Sequence, residues 1–98
     1  MNTILSTPQF DGWIEALRDR IAKARVIARI DRAESGNFGD SAPVGESISE
    51  MRIHVGAGYR VYFKQTGQEI YLLLVGGDKS SQDKDIVAAK VLAKKLGV

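Results

Sequence analysis

The residues whose types and spacing could do chemistry lie between Glu50 and Lys79. Apolar and polar residues alternate there, and in a strand alternate side chains share a face. Glu50, Arg52 and His54 therefore lie on one side of a strand, and after the turn Gly56-Ala57-Gly58, Arg60, Tyr62 and Lys64 lie on one side of the next. Gly77-Asp78-Lys79 leaves a neighbouring strand and brings a further cation to the rim. Such a face suits RNA: arginine and lysine hold phosphates, tyrosine stacks on a splayed base, and histidine or lysine moves protons. Metal-free RNA cleavage needs a base for the 2′-hydroxyl, a cation for the charge developing on phosphorus, and an acid for the leaving oxygen. Arg60 is the candidate for the charge, and His54 and Lys79 for base or acid. Arg52, Tyr62 and Lys64 are the candidates for binding phosphate or base. The same charges also fit the solvated face of a half-buried sheet, with Glu50 in cross-strand pairs.

Composition narrows the choices. A chain of 98 residues, 44% hydrophobic and 27% charged, reads as a single globular domain over residues 1–98. With no cysteine and one histidine, a disulfide scaffold, thiol catalysis and a dedicated zinc site are not expected, nor is a cofactor. Gly76-Gly77 lacks the spacing of a phosphate-binding loop. No apolar run approaches a membrane span and no signal-peptide pattern opens the chain, so the expected location is the cytoplasm. Residues 1–50 carry six Lys/Arg against eight Asp/Glu, and residues 51–98 carry eight against four. The basic second half suits a polyanion or an acidic partner.

These side chains need elements to position them. Thr-Ile-Leu near the start reads as a short edge strand, and Thr7-Pro8 as a helix cap with proline at the first helical position. Phe10, Trp13, Ile14 and Leu17 form one apolar stripe, Trp13 being a core residue rather than a binding one. A second helix is expected over Ile21 to Glu34, with Arg18, Arg25, Arg29 and Arg32 along another face. That arginine row reads as a solvated face, or functionally as a partner-protein or nucleic-acid contact. Phe38 to Glu46 reads as a loop, Ile48 to Val55, Tyr59 to Lys64 and Glu69 to Val75 as three antiparallel strands, and Gly76-Gly77 as the break after the last. Ser80 and Asp83 resemble a capping box opening a helix that Gly97 stops. The expected order is β-α-α-β-β-β-α, an α+β fold in which a helical hairpin packs on an antiparallel sheet with a C-terminal helix.

Several segments together resemble a known family. They are Gly36-Asn37-Phe38-Gly39-Asp40 with Pro43-Val44-Gly45-Glu46, then Ser49 to His54, Gly58 to Phe63, and Leu72 to Gln82. Nearly the whole chain resembles, in order, the HigB-like addiction module killer proteins of the RelE/ParE toxin superfamily. The resemblance implies the RelE-like (microbial RNase-like) fold and a cognate antitoxin, in this group a helix-turn-helix repressor through which the complex reaches operator DNA. RelE and HigB relatives cleave mRNA on the ribosome without a metal, whereas ParE relatives inhibit DNA gyrase. On this alignment Arg60 takes the position of the main catalytic arginine, Arg52 that of a basic strand residue before it, and Lys79 lies where relatives keep basic residues. The last helix departs from many relatives in having no aromatic residue or histidine near its end; Asp83 or Asp85 is the candidate to substitute for an acidic member. Fold alone does not choose between an mRNA interferase, a gyrase inhibitor and a degenerate toxin kept as co-repressor.

Overall fold

A computed structural model describes all 98 residues. Thr7 opens the first helix as the sequence suggests: its hydroxyl accepts from the Phe10 N–H and donates to the Leu74 carbonyl, which ties helix to sheet. That helix, α1, spans Pro8–Ala16 and follows strand β1, Thr3–Ser6. Asp19 caps α2, Arg20–Glu34, by accepting from the N–H groups of Ile21 and Ala22. Four strands follow: β2 Ser41–Gly45, β3 Ile48–Ile53, β4 Tyr59–Gly67 and β5 Ile70–Asp78. A short 3₁₀ turn, Lys79–Ser81, leads into α3, Gln82–Leu96, which Gly97 ends in the left-handed conformation.

The protein is α+β, with a five-stranded mixed sheet ordered β1-β5-β4-β3-β2. Only the β1–β5 pair is parallel. Met51, Ile53, Val61 and Phe63 share one face, where they join Phe10, Val26 and Ala33 from α1 and α2. Alternation therefore identifies the face that packs on the helical hairpin.

The opposite face is not simply solvated. Helix α3 lies across it, and Ile48, Tyr62 and Leu74 pack against Ala89, Leu92 and Ala93. β5 reaches both cores by ordinary alternation, Leu73 facing the first and Leu74 the second, and a one-residue register slip between its pairs with Tyr62 and Phe63 lets Leu74 and Val75 both pack with the α3 cluster.

Three expectations about elements are corrected. Residues 38–46 contain a strand, β2, paired antiparallel with β3, so the order is β-α-α-β-β-β-β-α. Its turn, Glu46-Ser47, has positive φ at both residues, 53° and 63°, as a type I′ hairpin requires, yet contains neither glycine nor asparagine. Pro43 is tolerated because β2 is an edge strand. Gly76 and Gly77 do not break β5, which runs to Asp78. They are glycines because Trp13 lies over the first and the Asp85 carboxylate over the second, so a Cβ at either would overlap its neighbour. The proposed Ser80/Asp83 capping box does not form. Asp78 instead accepts from the Ser80 N–H, at 2.8 Å, and the Ser81 hydroxyl donates to Asp85, at 2.6 Å. No helix is long and apolar enough to cross a membrane.

Candidate functional site

The turn between β3 and β4 and the exit from β5 meet at one end of the sheet, beyond its inner strands. Between them is an open depression of about 370 Å³ lined by His54, Val55, Gly56, Ala57, Gly58, Arg60 and Lys79. His54, Arg60 and Lys79, drawn from three separate segments, thus face one hollow. Gly58, at φ +77°, sits where a Cβ would lie 3.5 Å from that of Lys79, so the turn and the β5 exit approach closely.

Arg52 and Arg60 are directly opposed across β3 and β4. Like charges in that arrangement repel, and the sheet needs a compensating anion. Glu50 supplies it. Its side chain is fully buried, and Oε1 lies 2.9 Å from Arg52 Nε and 3.3 Å from Arg60 Nε. Its other oxygen accepts from Gln82 Nε2 at 2.8 Å, fastening the start of α3 to the sheet. Burial alone would raise the Glu50 pKa, but the hydrogen bonds from Arg52 and Gln82 and the charge of Arg60 together hold it below its ordinary value. Arg60 is left in an uneven position. Its Nε and Nη1 are shielded from solvent without a hydrogen bond of good geometry, while the side chain as a whole is 13% exposed.

From Arg52 the network continues outward. Arg52 Nη1 lies 3.7 Å from Asp40 Oδ1, and the other Asp40 oxygen hydrogen-bonds His54 Nε2. That bond from His54, helped by the charge of Arg52, holds the Asp40 carboxyl below its ordinary range. An ionised carboxylate can only accept, so His54 Nε2 carries the hydrogen, and the lone pair of a neutral imidazole sits on Nδ1. The ring is largely exposed, at 72% of its side-chain area.

His54 also borders a second hollow, of about 310 Å³, which holds Arg25, Arg29 and Arg32 of α2. Arg29 spends its donors on the carbonyls of Arg52, Phe38 and Asp40, and so clamps the approach to β2 onto β3. Burial first, and the charge of Arg32 second, lower its pKa. Arg18, expected in the same row, lies outside this hollow.

Two residues assigned to RNA binding stand elsewhere. Tyr62 is fully buried beneath α3 and cannot stack on a base; this corrects the sequence reading, which took its strand face to be open. Burial and the neighbouring Glu50 charge push its phenol pKa up. Lys64 is half-buried on the same face, four residues beyond Arg60, about 13 Å along an extended strand, and outside the depression. The sequence reading gave Glu50 only a cross-strand role and passed over Asp40 and Gln82. Alternation places Glu50 beside the arginines, but nothing local signals Asp40, fourteen residues from the histidine it binds.

The fold and site define a small α+β protein whose mixed sheet carries a basic, histidine-containing hollow at the ends of its inner strands. No family model and no solved structure matches the sequence. The chain is 50% identical over 95 residues to an uncharacterized protein of Haemophilus influenzae, an alignment spanning 97% of this chain and 96% of the other. The chain belongs to the same family as that protein.

Proposed function

We propose that the protein is the toxin of a type II toxin–antitoxin pair, with a RelE-like fold, and that it acts as a ribosome-dependent mRNA endoribonuclease. The observation that carries this reading is the meeting of His54, Arg60 and Lys79 around one open hollow, with a shielded, incompletely satisfied Arg60 guanidinium beside it. A cation pair at the wall of an open hollow, Arg60 with Lys79, favours an anionic ligand, and a phosphodiester supplies one.

In the reaction the His54 Nδ1 lone pair takes the proton of the 2′-hydroxyl, whose oxygen attacks the adjacent phosphorus. Arg60 stabilises the negative charge that accumulates on the phosphoryl oxygens. The bond from phosphorus to the 5′-oxygen breaks, Lys79 donates a proton to that oxygen, and a 2′,3′-cyclic phosphate and a 5′-hydroxyl result. Asp40 fixes the histidine tautomer and Arg52 holds Asp40, so both act through His54. In this reading a helix-turn-helix antitoxin neutralises the toxin in the cytoplasm, and operator DNA is met only through their complex. If the antitoxin binds only the folded toxin, it also raises the apparent stability of that domain.

The test is induced expression without the antitoxin, with the 5′ ends of cellular mRNA mapped within minutes. In-frame cuts that vanish when translation is blocked, and that Arg60→Ala and Arg60→Lys abolish, are expected. Including the lysine variant matters because it keeps a charge beside Glu50. Growth arrest with intact mRNA overturns the nuclease reading in favour of a gyrase inhibitor, and no arrest at all overturns it in favour of a degenerate co-repressor.

A further inference from the structure

The arginine hollow on α2 is a separate feature from the proposed reaction site, although His54 stands between the two. Arg25, Arg29 and Arg32 follow one another at helical spacings that put them on one face. Arg25 and Arg32 are exposed and form no ion pair. Asp40 is the acidic group that lines the hollow, and it is already engaged by His54 and Arg52. Arg29 cannot move away to relieve the crowding, because backbone carbonyls hold it and Gly39, at φ +63°, lets the chain pass against its guanidinium. Three positive charges are thus concentrated in a concave surface whose one lining carboxylate, Asp40, is already shared with His54 and Arg52.

We infer that this hollow is a phosphodiester-binding subsite, in which Arg25 and Arg32 grip the backbone of the same RNA strand that crosses His54 to reach Arg60. The inference rests on the nuclease reading for the identity of the strand, but the site itself is defined by charge and shape. The shared histidine favours nucleic acid over an acidic protein surface, since it makes the two hollows successive stations on one path. A backbone held at both is fixed in register at the point between them, which is what orientation for in-line attack requires.

The probe is a short 2′-O-methyl oligoribonucleotide, which lacks the attacking hydroxyl and so reports binding without cleavage. Its affinity is measured by fluorescence anisotropy across a salt series. For single strands each neutralised phosphate contributes about 0.7 to the slope of log K against log salt. Arg25→Ala/Arg32→Ala is expected to flatten the slope by about 1.4 and to weaken binding on the order of tenfold at about 0.1 M salt. The exposed pair Arg18→Ala/Arg20→Ala removes the same net charge outside the hollow and is expected to leave both values close to those of the unaltered protein. Equal losses in the two double variants, or no loss in either, overturn the inference. So does binding of polyglutamate but not the oligonucleotide through Arg25 and Arg32, which would assign the hollow to an acidic protein. Arginine-dependent binding accompanied by intact cellular mRNA supports the subsite while defeating the nuclease reading.

Discussion

Replacing Glu50 by glutamine tests the reasoning about the site most directly, because the side chain keeps its shape and loses its charge. In the native protein one carboxylate oxygen meets Arg52 and Arg60 and the other accepts from Gln82. Glutamine can present an acceptor to only one side. Its amide nitrogen must then face either the arginine pair, which only donate, or Gln82, whose amide can turn over and accept, and in both cases the repulsion between Arg52 and Arg60 goes uncompensated. Arg52 is 37% exposed and can turn toward water, but Arg60, at 13%, cannot. Breaking a buried charge pair on one side costs about 3 to 5 kcal/mol, and the freedom of Arg52 sets this case at about 3. For a domain of this size that lowers Tm by about 15 °C. The pH dependence makes the assay specific. The folded Glu50 pKa lies below the ordinary value of 4.5, so its stabilisation is complete above that value and disappears as pH falls through the folded pKa. Protonated glutamate resembles glutamine, so the Tm gap between native protein and Glu50→Gln is constant near neutrality and closes in acid. Asp40 and Asp78 also have lowered pKa values, but they are common to both proteins and drop out of the difference. A gap below about 4 °C at neutral pH, corresponding to less than about 1 kcal/mol, or one that does not close in acid, would refute the account.

Two further substitutions test the packing that frames the site. Gly76→Ala drives a methyl group into the Trp13 ring and is expected to cost about 2 to 3 kcal/mol by denaturant midpoint. Trp13→Leu should recover part of that loss, and an equal cost of Gly76→Ala in both backgrounds would disprove the contact. Tyr62→Phe removes a buried hydroxyl that has no hydrogen bond of good geometry, so stability should change by less than about 1 kcal/mol by denaturant midpoint. A loss above about 2 kcal/mol would show instead that the hydroxyl is engaged by a buried partner.

Much of the fold was legible because its signals are local. Thr7-Pro8 marks the start of α1, Gly97 stops α3, and the alternation of Met51, Ile53, Val61 and Phe63 identifies the face under α1 and α2. The missed strand has an equally local cause. β2 returns through Glu46-Ser47, residues that take positive φ at a cost, so the turn carries no hairpin signature. Gly76-Gly77 failed as a signal for a different reason. The pair reads as a break when only the backbone is considered, and as close packing once Trp13 and Asp85, distant in sequence, are known to cover it.

The site shows the same boundary between local and distant information. Period-two alternation put Arg52, His54 and Arg60 on one side of the sheet, but periodicity states which residues share a face and not what lies over it. α3 covers one end of that face, burying Tyr62 and Glu50, and leaves the other end, with His54, open. One helix therefore turns a uniform polar face into two environments. At the covered end a carboxylate can hold two arginines without competition from water. At the open end the arginine it holds borders a hollow that an anion can enter. Glu50 does not neutralise Arg60 completely, because it divides its near oxygen between two guanidiniums. A carboxylate devoted to Arg60 would give a more satisfied native state and a hollow less receptive to an anion, which would have to displace a full ion pair. The shared carboxylate leaves Arg60 positioned but still in need of an anion.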